Sequence, residues 1–474
     1  MKVKELIGRQ EEKQIIFNAL NSKKSELGIL YGRRRVGKSF LLQSIEFKQS
    51  YFFEAVKNYS VEKQVAHFLK QFSEQEKLPI LKGSTWEEAF DIITPYFIKK
   101  SNYVVFDEFP WMASERTELV SLLKYYWDNK WSKNPNLTLI LCGSIANFMV
   151  KHILHSQALH NRKTFEIKLK ALPCNEAKDF FPEKYSLYEK TLFLMTVGGI
   201  PKYLEQMNTK ISFYDNITNN FFKQNGFFVN EFETIFKEQF KKYKTYTDIV
   251  YLLSKNKMSQ SELSKVIHLS GGGFKEYLDT LENADFITHF RSLDFKGKEK
   301  KKTIKYNISD EFLHFYFYFI YPNKKKIEQG LGEEVFKALQ GRKLDAFMGI
   351  AFERFCQKNI KKIIQLLNIH PENIINFGPY HSQKHRSKNE KSPMAQVDLM
   401  IVLKKNRLLI IECKFTNQPL GMYIIQEIQE KINRLCIPKS FSISPVLISA
   451  SGVIKNVMEQ NYFDSVITIE HLLA

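Results

Sequence analysis

Residues 32–39 read GRRRVGKS, follow the apolar run 26–31 and precede a helical pattern that begins near Lys38. Between a strand and a helix, such a loop curls its backbone N–H groups around a phosphate, and the helix dipole adds to the attraction. Lys38 then faces the β- and γ-phosphates, and the Ser39 hydroxyl is a ligand for Mg²⁺. A chance Gly/Lys turn is the alternative. The residues of this segment predicted to contact a nucleotide are Gly32, Arg33, Arg34, Arg35, Val36, Gly37, Lys38, Ser39 and Phe40.

Two further apolar runs end in polar residues that fit the same site. Residues 103–106 are followed by Asp107 and Glu108. Asp107 is predicted to hold Mg²⁺ and Glu108 to orient or deprotonate the attacking water, with a capping pair as the alternative. Residues 137–141 lead to Ser144, which is predicted to contact the γ-phosphate or the water, with a plain turn as the alternative. Buried strands that alternate with helices predict an α/β fold with a doubly wound parallel sheet, and the two motifs predict nucleotide hydrolysis.

The front part of the chain resembles the AAA+/STAND-type P-loop ATPases that are widespread in Archaea. Besides the loop, the similar segments are residues 7–11 (IGRQE), residues 172–181 (LPCNEAKDFF) and residues 198–204 (GGIPKYL). The resemblance implies that Gly8 and Arg9 lie against adenine, and that a helical lid covers a site for ATP and Mg²⁺. It also implies that Arg162 reaches the γ-phosphate, with a surface arginine as the alternative.

The middle of the chain has the order of a winged helix. Three helical stretches are followed by two strands around a lysine-rich hairpin, residues 296–302, which is the predicted wing. Lysines at an exposed hairpin tip suit DNA phosphates, whereas the predicted recognition helix, residues 274–283, is mostly acidic. A solvated wing used for protein contact is the alternative. The similar ATPases commonly carry such a module here.

The last block carries a second set of charged residues. Asp398 lies near the start of one predicted strand and Glu412 near the end of the next, so a hairpin brings them together. Glu412 and Lys414 point to the same face, because side chains alternate along a strand. Glu353 lies on an upstream helix and offers another carboxylate. Buried carboxylates are costly unless paired or metal-bound, so the set predicts a Mg²⁺-dependent phosphodiester site, with an edge-strand Glu–Lys pair as the alternative.

This second set resembles the PD-(D/E)XK, or restriction-endonuclease-like, fold that is often joined to these ATPases. The resemblance implies that Asp398, Glu412 and Glu353 bind the metal. It assigns the catalytic roles to Asp398, Glu412 and Lys414, with the lysine beside the attacking water. Gln426 of the following helix is expected near the site.

Composition narrows the function classes. The 474 residues carry 70 Lys and Arg against 51 Asp and Glu, a net charge of +19, which predicts a polyanionic partner, with nucleic acid before a membrane surface. No apolar run reaches the length of a bilayer span, and the first residues lack the apolar stretch of a signal peptide. Five cysteines without a CxxC pair fit neither a zinc site nor a disulfide framework. We therefore expect a cytoplasmic protein with no membrane partner.

The predicted domains are an ATPase core at residues 1–170, a helical lid at 171–240, a winged helix at 241–322 and a nuclease-like domain at 330–474. A linker is expected at residues 323–326. The sequence thus predicts an ATP-hydrolysing enzyme coupled to a DNA-binding, Mg²⁺-dependent nuclease domain. The alternative is an ATP-dependent switch or scaffold whose nuclease-like domain binds DNA without cleaving it. Oligomerisation is left open.

Overall fold

The computed structural model describes residues 5–99, 102–114, 116–144, 148–240, 242–269, 271–381, 386–387, 390–391 and 396–474. Its front part comprises α1 (Gln10–Leu20), β1 (Glu26–Gly32), α2 (Lys38–Gln43), β2 (Ser50–Glu54), α3 (Val61–Glu76), α4 (Trp86–Lys99), β3 (Asn102–Asp107), α5 (Phe109–Met112), α6 (Glu118–Asn129), β4 (Leu137–Ser144) and β5 (Phe165–Leu169).

These five strands form one sheet of order β2-β3-β4-β1-β5 in which every neighbouring pair is parallel. β3 and β4 are buried along their whole length, as strands covered by helices on both faces must be. The carboxyl ends of β1, β3 and β4 meet at one edge, which places the phosphate loop beside the residues that end the other two strands. The predicted α/β fold with a P-loop sheet is confirmed.

A helical segment follows the sheet and contains α7 (Cys174–Ala177), α8 (Leu187–Val197), α9 (Pro201–Leu204), α10 (Phe213–Ile217) and α11 (Glu231–Gln239). α8 is its centre, because eight consecutive residues from Lys190 to Val197 are buried. A capping box of Ser186 and Glu189 fixes the start of α8.

The next part holds three helices, a hairpin and two short helices: α12 (Tyr243–Lys255), α13 (Gln260–Ile267), α14 (Gly272–Asn283), β6 (Ile287–Leu293), β7 (Glu299–Ile308), α15 (Glu311–Phe315) and α16 (Lys324–Glu328). The prediction of a linker at residues 323–326 is wrong, because residues 324–326 form the start of α16. Ile327 is fully buried and Lys324 pairs with Glu233 of α11, so tertiary contacts hold this lysine-rich stretch in a helix.

The last part contains α17 (Gly332–Leu339), α18 (Arg342–Lys358), α19 (Ile360–Leu366), β8 (Ile374–His381), β9 (Arg386–Ser387), β10 (Glu390–Lys391), β11 (Gln396–Leu403), β12 (Arg407–Lys414), α20 (Tyr423–Arg434), β13 (Ser442–Ser449), α21 (Lys455–Glu459), β14 (Ser465–Thr468) and α22 (Ile469–Leu473). Five strands form a mixed sheet of order β14-β13-β12-β11-β8. The β11–β12 pair is antiparallel and the β12–β13 pair is parallel. A separate C-terminal α/β sheet is thereby confirmed.

One of several buried apolar clusters connects the parts of the chain. A single buried cluster runs from the front sheet through α8 to the C-terminal sheet. The C-terminal helix α22 packs on α7 and α8, and the Cys174 thiol lies 3.5 Å from the Leu472 carbonyl oxygen. Among the described residues, no helix combines the length and the apolar character needed to span a bilayer.

The turn of the β6–β7 hairpin packs against the C-terminal sheet. The Phe295 ring stacks on Tyr380 with centroids 4.7 Å apart, and Asn376 donates a hydrogen bond of 3.1 Å to the Gly297 carbonyl. A side chain at Gly297 would collide with Ile375, and this glycine has a φ of +74° that other residues rarely adopt. The hairpin tip and the C-terminal sheet therefore form one continuous surface.

Candidate nucleotide site and carboxylate site

The phosphate loop closes around the ammonium group of its own lysine. Lys38 is 7% exposed, and its Nζ atom donates to the carbonyl oxygens of Gly32 (3.4 Å) and Arg33 (3.2 Å) and to Ser144 Oγ (3.1 Å). Gly37 has a φ of +88° where the loop enters α2. A Cβ at Gly32 would lie 2.3 Å from the Leu169 carbonyl oxygen. The positive φ at Gly37 and the close backbone contact at Gly32 explain why both positions are glycine.

An acidic group lies beside the lysine. Ser39 Oγ donates to Asp107 Oδ2 at 2.5 Å, and Ser144 Oγ donates to Glu108 Oε1 at 3.3 Å. The structure thus brings together Lys38, Ser39, Asp107, Glu108 and Ser144, all of which were predicted for one site. A serine hydroxyl and a buried aspartate are hard oxygen donors, so their chemistry fits Mg²⁺ beside nucleotide phosphates.

The Arg9 side chain, which precedes α1, contacts the phosphate loop. Its side chain is almost fully buried and donates to the carbonyl oxygens of Val36 (3.2 Å) and Lys170 (2.6 Å). Burial lowers the pKa of Arg9, although the Glu12 carboxylate opposes this effect. Gly8 has a φ of +69° and lies against Glu176. The predicted contact of Gly8 and Arg9 with adenine stays a prediction.

Acidic residues hold the side chains of the three loop arginines. Arg35 makes two hydrogen bonds to Glu231, of 3.0 and 3.2 Å, and Arg34 donates to Glu238 at 3.1 Å. Both glutamates belong to α11. Arg33 pairs with Asp310 at the start of α15. The side chains of these arginines are thus neutralised within the chain, and the predicted contact of Arg33, Arg34 and Arg35 with the nucleotide stays a prediction.

Phe40 and Arg162 were also predicted to contact the nucleotide. Phe40 lies in the first turn of α2 directly after Ser39 and is 37% exposed, and its contact stays a prediction. Arg162 makes two hydrogen bonds to Asp128, of 2.6 and 2.7 Å. The neighbouring Thr164 bonds to Leu27 at the start of β1, whereas the phosphate loop follows the end of that strand. Arg162 therefore lies at the opposite edge of the sheet from the phosphate site. In this structure it does not make the predicted contact with the γ-phosphate position of its own chain.

The parallel sheet, the loop after β1 and the carboxylates after β3 define a P-loop ATPase. Residues 6–207 match the family of ATPase domains found predominantly in Archaea. The front part of the chain is therefore an ATPase domain similar to this archaeal family, and the protein is an ATP-hydrolysing enzyme. Residues 316–431 match a second family, described as archaeal and bacterial proteins of unknown function.

Individual proteins are also similar to this chain. An uncharacterised protein of Methanocaldococcus jannaschii is 28% identical over 356 residues, which are 74% of this chain and 76% of that protein. A Walker-type ATPase of Pyrococcus abyssi is 16% identical, with a TM-score of 0.49 over 66% of this chain and 96% of its own. The ORC2 protein of Aeropyrum pernix, in complexes with ADPNP and ADP, is 13% identical, with a TM-score of 0.41 over 71% and 96%.

A second polar site lies between β11, β12 and α20. Asp398 and Glu412 are each 4% exposed, and Asp398 Oδ2 accepts a hydrogen bond of 2.9 Å from the Cys413 backbone N–H. Lys414 Nζ lies 3.2 Å from Glu412 Oε1. Burial and the neighbouring Glu412 raise the pKa of Asp398 to about 7, although Lys431 opposes this shift. The structure thus joins the predicted Asp398, Glu412 and Lys414.

Lys431 of α20 belongs to this site and was missed from the sequence. Its Nζ atom lies 2.5 Å from Glu412 Oε2 and 3.8 Å from Asp398 Oδ1. The signal was available in part, because Ile424 and Ile428 are buried and mark the face of α20 that meets the sheet. Gln426, which was expected near the site, instead donates to Glu430 on the exposed side of the helix.

Glu353 approaches the same site from α18. Burial raises the pKa of Glu353, and the negative charge of Glu412 raises it further. Within the described ranges, however, no group of three or more His, Cys, Asp or Glu side chains is arranged to hold a metal ion. The arrangement therefore offers two converging carboxylates, a third one nearby, and two lysines.

The elements predicted to contact DNA are the β6–β7 hairpin tip and the helix α14. Lys296 and Lys298 of the hairpin tip are exposed, whereas the side chains of residues 300–302 lie outside the described residues. On α14, Glu276 pairs with Lys151 of the ATPase domain at 2.8 Å. One acidic side chain of this helix thus contacts another part of the chain, whereas Lys275 and Asp279 are exposed. Contact of the hairpin or the helix with DNA stays a prediction.

Proposed function

We propose that this ATPase couples its nucleotide cycle to a DNA-binding C-terminal domain that cleaves phosphodiester bonds with a divalent metal. One observation carries the proposal: Asp398 and Glu412 are buried side by side on adjacent strands, and both flank lysine ammonium groups. Burial of two carboxylates costs free energy without a matching gain in packing, so a site of this kind is typical of chemistry or recognition.

In the ATPase site, Ser39 and Asp107 are the proposed holders of Mg²⁺, which would neutralise charge on the phosphates. Lys38 Nζ would keep its hydrogen bond to the Arg33 carbonyl and turn the N–H groups that now reach the Gly32 carbonyl and Ser144 toward β- and γ-phosphate oxygens. Glu108 would orient the attacking water and accept its proton, while Ser144 holds the Glu108 carboxylate. Lys38→Ala is expected to abolish ATP turnover by weakening ATP binding, whereas Glu108→Gln should bind ATP and fail to hydrolyse it. Wild-type turnover in both variants would refute these roles.

In the C-terminal site, Asp398 and Glu412 are the proposed metal ligands, with Glu353 as a further carboxylate. A bound divalent ion would polarise a phosphodiester oxygen. Lys414 would hold the attacking water, whose oxygen bonds to phosphorus while the P–O bond to the leaving nucleotide breaks. The water proton passes to the leaving oxygen or to solvent, so the reaction needs no other reactant.

A specific observation favours a second function, in which the domain binds DNA without cleaving it. Lys431 neutralises both buried carboxylates in the way that a metal ion would. A site that carries its own cation needs no metal for stability. On this alternative the ATPase drives a switch or scaffold.

A cleavage assay with Mg²⁺ or Mn²⁺, with and without ATP, separates the two functions. Asp398→Asn should abolish cleavage on the leading proposal. Asp464→Asn is the matched control, because Asp464 lies in the same domain and pairs with Arg407 at the surface. DNA binding by wild-type protein without metal-dependent cleavage would instead establish the second function.

A further inference from the structure

Arg33 is the first residue of the phosphate loop after Gly32, and its side chain points into the protein interior. It is 2% exposed, and its Nη1 atom donates to Asp310 Oδ2. The guanidinium lies 4.3 Å from the centroid of the Phe286 ring. Among the described residues, its Nε and Nη2 atoms have no hydrogen-bond partner. A buried guanidinium with one carboxylate partner depends strongly on that partner.

A helix outside the ATPase domain holds Asp310 in place. Asp310 is 3% exposed and directly precedes α15, where its Oδ1 atom accepts a hydrogen bond of 2.7 Å from the Leu313 backbone N–H. One carboxylate oxygen thus caps the helix while the other accepts from Arg33. α15 packs in turn on α8. The position of Asp310 is therefore fixed by the packing of that helix.

The Arg33 carbonyl group links the Arg33–Asp310 pair to Lys38. The Arg33 carbonyl oxygen accepts a hydrogen bond of 3.2 Å from Lys38 Nζ, and the same ammonium group reaches Ser144 Oγ. Anchoring the Arg33 side chain restricts the rotation of its peptide group, because both belong to one residue. Asp310, Arg33 and Lys38 thus form a continuous chain of contacts.

We propose that Asp310 is a positioning residue for ATP hydrolysis, and that it acts through Arg33 on Lys38. Alignment of Lys38 with the γ-phosphate matters most in the transition state, where charge on the phosphoryl oxygens is redistributed. The loop N–H groups that bind the ground-state phosphates remain in place without Asp310. Loss of Asp310 should therefore lower kcat much more than it changes KM.

The test compares ATP turnover, ATP-analogue affinity and thermal unfolding in the full chain. Asp310→Asn keeps a residue that caps a helix but removes the charge. The double variant Arg33→Met/Asp310→Asn removes both charges, so it should recover the stability that the single variant loses. Glu233→Gln is the matched control, because it breaks an ion pair between α11 and α16 that does not touch the loop.

The expected result is a fall in kcat of about tenfold or more in Asp310→Asn, with KM and analogue affinity within about threefold of wild type. In the double variant the unfolding temperature should recover and kcat should stay low. Recovery of both quantities would overturn the proposal, because the pair would then serve stability alone. Wild-type kcat in Asp310→Asn, or an equal loss in Glu233→Gln, would overturn it as well.

Discussion

Lys431 Nζ lies 2.5 Å from Glu412 Oε2, and this ion pair joins α20 to β12. The same ammonium group lies 3.8 Å from Asp398, so one lysine serves both buried carboxylates. A divalent ion bound by these carboxylates would compete with Lys431 for their charge. Lys431→Met should therefore strengthen Mn²⁺ binding by about tenfold or more, because the competing internal cation is gone. Isothermal titration or the loss of the free Mn²⁺ electron-spin signal measures this affinity.

Lys455→Met is the control for that experiment. Lys455 is 88% exposed on α21 and pairs with the surface residue Glu459, so its loss removes the same charge without touching the site. Its Mn²⁺ affinity should equal that of wild type. If Lys431→Met also binds Mn²⁺ like wild type, the lysine does not occupy the position of a metal.

The raised pKa of Asp398 predicts how stability depends on pH. Its ordinary value is 3.8, and burial together with Glu412 raises it to about 7 in the folded chain. Between these values, the folded chain keeps a proton that the unfolded chain has lost. The resulting stabilisation is complete below about pH 4 and is lost as pH rises to about 7. The unfolding temperature of wild type should therefore fall relative to that of Asp398→Asn across this range.

Thermal scans from pH 4 to 8 with a metal chelator check this dependence. Asp464→Asn is the reference, since Asp464 is an exposed carboxylate of the same domain that pairs with Arg407. Its curve should run parallel to that of wild type. A parallel curve for Asp398→Asn would show that this carboxyl titrates in its ordinary range.

The nucleotide site was predictable because its determinants are local. The loop, Asp107 and Ser144 each directly follow an apolar strand, and parallel strands bring their carboxyl ends to one edge. A few contacts at sheet ends therefore follow from sequence order alone. The partner of Arg33 did not follow in this way, since Asp310 is 277 positions away and meets it only through the packing of α15.

The charge of the sequence predicted the site contacts less well than the local motifs did. The loop arginines were predicted to contact a nucleotide, and Glu231, Glu238 and Asp310 neutralise their side chains. The helix α11 supplies two of these partners. Net charge reports an average over the surface, whereas such pairs depend on which helix packs against which loop.

Residues 198–204 (GGIPKYL) offer a sharp test of packing. A Cβ added to Gly199 would lie 2.0 Å from the Leu172 carbonyl oxygen, and the Leu172 N–H donates a hydrogen bond of 2.7 Å to the Gly199 carbonyl. Backbone atoms cannot give way as flexible side chains do. Gly199→Ala should therefore destabilise the fold by about 2–3 kcal/mol, which denaturant unfolding measures. Gly349→Ala on α18 has open space and should gain about 0.5–1 kcal/mol. Equal stabilities in the two variants would contradict this packing.

The hairpin tip supplies the test for a DNA surface. Lys296 and Lys298 are exposed beside Gly297, which is buried against the C-terminal sheet, so a nucleic acid bound there would touch both elements. Lys296→Glu/Lys298→Glu should weaken DNA binding and reduce the slope of log affinity against log salt by up to about 2, because each phosphate contact contributes about one unit. Fluorescence anisotropy over a salt series measures both quantities. Lys82→Glu/Lys99→Glu changes the net charge equally on the ATPase domain and should leave the slope nearly unchanged. If both double variants lose affinity equally, the charge acts at long range and the hairpin is not the contact surface.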